Sequence, residues 1–202
     1  MKPGKELEIK LSAPSAEVLE RIAADPLFAG GEERVLEQRS VYYDLPGLAK
    51  SSSASLRFRW ESGRGRVTLK LDGSLENGVF SRTEYEIDAD SVEEGVARMR
   101  KEFSLDGFFD RAGAPVPGVR AEFLRREKRV SVFGAEIELA LDGGWLGGED
   151  NIFFEAEGEL ISGDEAALGS LESYLKEKYS LEPQPKSKRA RCELYRLSHR
   201  GL

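Results

Sequence analysis

Carboxylates recur at every second position in two stretches of this sequence. KELEIKL (5–11) carries Glu6 and Glu8 ahead of Lys10, and FFEAEGELI (153–161) carries Glu155, Glu157 and Glu159. Residues two apart on a strand share a face at a separation of about 6.6–6.8 Å, so each stretch stacks like charges that repel one another. A cation held between the carboxylates reverses the sign of that interaction. Carboxylate oxygens suit hard divalent ions such as Mg2+ or Mn2+. Bases sit on other stretches: Arg57, Arg59, Lys70, Arg82, Arg125, Lys188 and Arg191. Guanidinium and ammonium groups grip phosphate oxygens, Arg often bidentately. Acids and bases segregated in this way suit a polyanion bound together with metal ions.

Strands must position these residues, because alternation of charged and apolar residues dominates the chain. SLRFRWES (55–62) sets Leu56, Phe58 and Trp60 against Arg57, Arg59 and Glu61, and RVTLKLD (66–72) sets Val67, Leu69 and Leu71 against Thr68, Lys70 and Asp72. The pattern continues in RSVYYDL (39–45), SRTEYEID (81–88), EFLRREKRVSV (122–132) and AEIELALD (135–142), and SKRARCELYRL (187–197) is expected to close the series as a strand. SGRG (62–65) and Phe133-Gly134 predict tight hairpin turns. Three helices are expected, over 15–25, 91–103 and 164–179, the second with Ser91 and Glu94 in capping-box spacing. RAGAPVPGV (111–119) is expected to be a loop. Wetting every charged face of such a sheet would expose a very large surface. Closing it into a barrel removes the edges and gives the charged faces a common interior. The aliphatics Leu7, Ile9 and Leu11 would then point outward, under the helices.

At 202 residues the chain suits a single domain, 1–202, with room for a sizeable core. A net charge of −7 argues against a general nucleic-acid binder. The single cysteine, Cys192, permits no internal disulfide and fits a reducing compartment. The opening MKPGKELEIK has no signal-peptide core, and no run approaches the roughly 20 apolar residues of a membrane span. Cytoplasmic location is expected, without membrane or nucleic-acid partners. No Gly-rich phosphate loop is present, and His199, the sole histidine, lies in a SHRGL tail without an interpretable Ser or Cys partner.

Ordered blocks from residue 6 to 191 resemble one family. ELEIK (6–10) is similar to the E-x-E-x-K signature of the CYTH superfamily, the triphosphate tunnel metalloenzymes. YYDLPGLAKSSSASLRFRWESGRGRVTLKL (42–71), RTEYEI (82–87), FLRRE (123–127) with IELALDGG (137–144), FEAEGELISGD (154–164) and SKRAR (187–191) resemble its later blocks. The resemblance implies an α+β fold whose centre is an eight-stranded antiparallel β-barrel, a tunnel with a charged interior and helices packed outside. It implies metal-binding carboxylates at Glu6, Glu8, Asp142, Glu155 and Glu157. It implies phosphate contacts from Lys10, Arg57, Arg59, Lys70, Arg82, Arg125, Lys188 and Arg191, with Glu84 orienting the bases. Arg125 fits the family strand better than Arg126, and a one-residue slip would swap their faces. Glu138 and Glu159 share the parity of these residues.

The activity implied is metal-dependent hydrolysis of a linear triphosphate, inorganic triphosphate first, with Glu6, Glu8, Lys10 and Glu157 at the catalytic centre and Mg2+ or Mn2+ as cofactor. Thiamine triphosphate or a nucleoside triphosphate is a further candidate substrate. An adenylyl cyclase of the family's type and a non-catalytic polyphosphate or nucleotide-binding module are the alternatives. A small-molecule triphosphate is the expected partner, and a monomer or homodimer the expected assembly. Family cyclases tend to carry a His-Phe pair shortly before E-x-E-x-K, and here that place reads MKPGK.

Overall fold

A computed structural model describes residues 4–49, 54–76 and 79–199. One antiparallel sheet contains β1 (Gly4–Ser12), β2 (Arg34–Asp44), β3 (Ser55–Glu61), β4 (Arg64–Glu76), β5 (Val79–Asp88), β6 (Val116–Val132), β7 (Ala135–Leu146), β8 (Ile152–Ser162) and β9 (Glu182–Pro183). Five helices accompany it: α1 (Ala16–Ala23), α2 (Val92–Phe103), α3 (Asp106–Ala112), α4 (Ala166–Tyr179) and α5 (Lys188–Ser198).

The strands are ordered β5-β4-β3-β2-β6-β7-β8-β1-β9. The two expected hairpin turns are present. Ser62-Gly63 joins β3 to β4 and Phe133-Gly134 joins β6 to β7, with φ of 45° and 89° at the first and 53° and 77° at the second. Positive φ at both central residues matches the right-handed twist of the flanking strands. β1 divides its pairing: Gly4–Glu8 lies against β5 and Glu8–Ser12 against β8. Beyond Glu8, the short β9 takes over the edge at Leu11 and Ser12. The seam between the two ends of the sheet is therefore short, and the sheet is not zipped closed along its length.

The aliphatic faces point outward and carry the core. Ile9 and Leu11 of β1, Ile137 and Leu139 of β7 and Ala156 of β8 pack with Leu19 and Ile22 of α1 and with Leu168, Leu171 and Leu175 of α4. A second core joins Leu56, Val67, Leu69 and Ile87 to Val92, Met99 and Phe109 of α2 and α3. Burial of each such side chain contributes about 1.5–3 kcal/mol, which holds the helices on the outer face. Gly158 shows how closely α4 approaches, since a Cβ there would stand 2.6 Å from Leu171 Cδ2. The lack of apolar body between Glu157 and Glu159 is thus a docking requirement.

Several expectations are corrected. Among the described residues there are nine strands and not eight, because the two-residue β9 is too short to show periodicity. Helices number five among the described residues and not three. α3 has no side-chain hydrogen bond at its N-cap and only seven residues, so it carries no sequence start signal. Residues 111–119 are not one loop: α3 runs to Ala112 and β6 begins at Val116. The stretch 187–197 is helix α5 and not a strand. Ser187 caps it by accepting a hydrogen bond from Ala190 N at 3.2 Å, and the buried Lys188 and Cys192 stand one helical turn apart.

Asp25, just past α1, ties that corner to α4. It is 4% exposed. Its Oδ2 accepts hydrogen bonds from Tyr179 (2.5 Å), Tyr174 (2.8 Å) and Lys178 (3.1 Å), and its Oδ1 from Leu27 N (3.0 Å). Burial alone would raise its pKa, but the bonds from Tyr179, Leu27 N–H, Tyr174 and Lys178 outweigh burial and depress it to about 2. A depressed carboxyl contributes stability above its unfolded value near 3.8 that is lost as pH falls through about 2. Asp25→Asn should therefore cost about 2 kcal/mol at pH 7 and lower Tm by several degrees. The difference from wild type should vanish near pH 2. Equal Tm values at pH 7 would contradict this role.

Candidate active site

Period-two geometry sends the residues between the outward aliphatics to the opposite face. There they line a cavity of about 1640 Å3 whose walls include Glu6, Glu8, Lys10, Arg57, Arg59, Lys70, Glu84, Arg125, Glu157 and Lys188. The register sets neighbours across the strands: Lys10 faces Glu157 and Glu8 faces Glu159, Arg125 faces Asp142, and Asp142 faces Glu155.

One wall is a buried ion cluster. Arg125 makes a bidentate contact with Asp142, Nε–Oδ1 at 2.8 Å and Nη2–Oδ2 at 2.7 Å, and its Nη2 also donates to Glu157. Lys188, at the start of α5, reaches Asp142 and Glu157 at 2.8 Å each and also Glu155. Arg191 Nη1 donates to Glu155 Oε2 at 2.5 Å. Asp142 and Glu155 are fully buried. Beneath these cations lies an edge-to-face pair of rings, Phe123 and Phe153. Lys188 Nζ stands 5.3 and 5.6 Å from their centroids, and Arg191 lies 5.0 Å from Phe153, within cation–π range. Burial would raise the Glu157 carboxyl, but Lys188, Arg125 and Lys10 outweigh it and hold the pKa well below the ordinary range.

The facing wall is rich in bases. Lys70 Nζ lies 2.6 Å from Glu6 Oε2 and 3.2 Å from Glu84 Oε2. Arg59 donates to Gln38 Oε1 at 3.0 Å, and Arg57 to Thr68 Oγ1 at 3.3 Å. The Nε groups of Arg57 and Arg59 are buried yet have no acceptor among the described residues. Burial, aided by Arg57, lowers the Arg59 pKa to about 10. A guanidinium shifted that way has less counter-charge than it could use, and a bound anion would supply both the charge and the missing acceptors.

The CYTH domain family matches residues 4–192, nearly the whole chain. The chain belongs to the CYTH family. Among solved structures, it resembles a putative adenylyl cyclase from Hippeastrum described as having a dominant triphosphatase activity. The two share 25% identity over 94% of this chain and 96% of that one, with a TM-score of 0.69. A putative adenylate cyclase from Bacillus halodurans shares the fold, at 19% identity over 91% and 95% of the two chains and a TM-score of 0.54. So does a chain of the Schizosaccharomyces pombe Mediator head module, at 13% identity over 89% and 98% and a TM-score of 0.55. This CYTH fold therefore does not by itself fix an activity.

Against the sequence expectations, the CYTH site divides. Asp142, Glu155 and Glu157 converge, with ligand-capable oxygens within 4.8 Å of one another, and that donor set fits a hard divalent cation. Glu6 and Glu8 lie outside this group, Glu6 held by Lys70 and Glu8 by Lys10 at 2.6 Å. Arg57, Arg59, Lys70, Glu84, Lys10 and Lys188 line the cavity as placed. Arg125 does too, whereas Arg126 turns outward to Glu20 and Glu33. Lys188 and Arg191 enter from one face of a helix and not from a strand. The Arg82 backbone pairs with Glu6, and its side chain lies outside the described residues.

Sequence reasoning missed Gln38, which accepts from Arg59 and donates to Glu61 Oε2 at 2.5 Å. It also missed Thr68, which donates to Glu86 Oε1 at 3.1 Å. Starting β2 at Arg34 rather than Arg39 would have placed Gln38 two positions before Ser40, on the inward parity.

Glu159 senses the acidic side of this site. Burial first, then Glu6, Glu8, Glu138 and Glu84, raise its pKa to about 8. A raised carboxyl stabilises the fold in its protonated form, fully below the unfolded value of 4.5, and this contribution is lost as pH rises through about 8. In chelator-treated protein, Glu159→Gln should raise Tm at pH 8.5 by several degrees and leave it unchanged at pH 4.5. A variant no more stable than wild type at pH 8.5 would contradict this account of Glu159.

Proposed function

We propose that this chain hydrolyses a linear triphosphate, inorganic triphosphate first, to diphosphate and phosphate with Mg2+ or Mn2+ as cofactor. The observation that carries the reading is the pairing of two walls in one cavity. Arg57 and Arg59 line it with buried Nε groups that have no acceptor among the described residues, and Glu157 lines it too, converging with the buried Asp142 and Glu155. The Hippeastrum relative's described triphosphatase activity points the same way.

In this reading the cavity is a tunnel with a short seam at β1 and β5, and the phosphate chain lies along Arg57, Arg59, Lys70 and Arg125, with Arg82 added to them from the family resemblance alone. Lys10, Lys188 and Arg191 grip it from the other side. Glu84 holds Lys70 in place, 3.2 Å away. Asp142, Glu155 and Glu157, with Glu6 and Glu8 from β1, would hold the divalent cations. When bound, such ions neutralise phosphate oxygens and lower the pKa of a coordinated water. The protein's own part is positioning and fixed positive charge, which suits phosphoryl transfer because its transition state asks little covalent chemistry of the enzyme. We read residues 1–202 as one domain, working in the cytoplasm as a monomer or homodimer on a small-molecule triphosphate, without nucleic acid.

A second reading, cyclisation of ATP to cyclic AMP and diphosphate, draws on the cyclase designation of the same relative. One panel separates the two: inorganic triphosphate, thiamine triphosphate and ATP, each with Mg2+ or Mn2+, with phosphate, diphosphate and cyclic AMP measured. Phosphate release from triphosphate is expected, and Glu157→Gln or Glu8→Gln should lower kcat by about 100-fold or more in folded protein. No turnover of any of the three substrates, or full activity in both variants, would overturn the reading.

A further inference from the structure

The buried cluster is neutral as it stands. Three carboxylates, Asp142, Glu155 and Glu157, meet three cations, Arg125, Lys188 and Arg191. A divalent ion approaching a neutral cluster gains little from Coulomb attraction, and Lys188 already contacts every one of the three carboxylates. Two of the three cations come from the first turn of α5. That turn contains no acidic residue, so Lys188 and Arg191 stand at the positive end of the helix dipole, where cations are disfavoured. Among the described residues, their ion-pair partners are the carboxylates of β7 and β8. Lys188 also rests on Phe123 and Phe153, and Arg191 on Phe153, whose faces attract a cation without fixing its direction. Lys188 lines the same cavity as Arg57 and Arg59, whose Nε groups lack acceptors among the described residues.

We propose that Lys188 and Arg191 are exchangeable counter-ions: they occupy Asp142, Glu155 and Glu157 in the ligand-free protein and pass to the phosphate chain when a divalent cation takes those carboxylates. The inference rests on the triphosphate reading above and adds to it a coupling between the two ligands. Each ligand binds weakly alone, because the metal must displace the α5 cations and the phosphate must draw them from their carboxylates. Together they exchange partners, and every charge stays compensated. Linkage makes the coupling reciprocal. The first turn of α5 thus works as a relay between the metal and phosphate subsites, and its cations are positioning residues for both.

The two subsites can be read separately, without turnover. Mn2+ binding is followed by the loss of the free-ion signal in electron paramagnetic resonance, in the absence of phosphate. Binding of inorganic triphosphate is followed by calorimetry in chelator-treated protein, in the absence of metal. Lys188→Met should tighten Mn2+ about tenfold or more and weaken metal-free triphosphate by a similar factor. Those opposite signs are not expected of a residue that merely supports the fold, whose loss would weaken both. Arg191→Gln carries the same pair of expectations, so the test stands if Lys188→Met does not fold. Unchanged or weaker Mn2+ binding in the folded variants would overturn the relay. Wild-type protein that binds Mn2+ but no triphosphate, at any concentration tried and with or without the metal, would instead overturn the triphosphate reading, and the relay with it.

Discussion

The buried contact of Asp142, Glu155 and Glu157 with Arg125, Lys188 and Arg191 is the interaction on which the rest of the molecule depends. Taking six charged groups out of water is expensive, and it is sustained only where each is matched at close range. The matching fixes the register of β6, β7 and β8, since a one-residue slip in any of them would turn a carboxylate or Arg125 to the outer face. It also brings α5 down onto the sheet, where Cys192 joins Phe123, Phe153 and Leu146 in a small third core. Removing a single partner would leave an uncompensated buried charge, at a cost of about 3–5 kcal/mol.

From that constraint follows the inversion of the sheet. Ordinary antiparallel sheets pack aliphatics on a core and wet their charges. Here α1, α2, α3 and α4 cover the outer aliphatic faces, while the inward faces carry charge of both signs around a wide cavity. Neither wall is self-sufficient. Glu159 is driven toward its neutral form by burial first and then by Glu6, Glu8, Glu138 and Glu84, and the Nε groups of Arg57 and Arg59 lack acceptors among the described residues. A metal ion relieves the first deficiency and a polyanion the second.

Much of this was legible in the residues because the side-chain period of a strand is two. KELEIKL (5–11) and RVTLKLD (66–72) declare two faces each, and the charge segregation between strands indicates which face is enclosed. Arg125 is chosen over Arg126 because FLR fits the family strand better, and Arg125 lines the cavity. The parts that were not legible are those without periodicity. β9 has two residues and exists only because the segment after α4 crosses the edge of β1, where Gln184 N donates to Lys10 O at 2.8 Å. The bases of SKRAR belong to helix α5: Lys188 and Arg191 are three apart, which puts them on opposite faces of a strand but on one face of a helix, a signal that the strand reading overlooked. The division of Glu6 and Glu8 from the converging carboxylates depends on Lys70 and Lys10, which is tertiary information.

The central claim is that the charged inner faces enclose one site for both a divalent cation and a phosphate chain. Anomalous diffraction from crystals grown with Mn2+ and a hydrolysis-resistant triphosphate addresses it most directly. The account predicts a manganese peak bounded by Asp142, Glu155 and Glu157, with phosphate density in the same cavity against Arg57, Arg59 and Lys70. Manganese and phosphate bound only on the outer faces or at the chain ends, with the cavity holding neither, would contradict it.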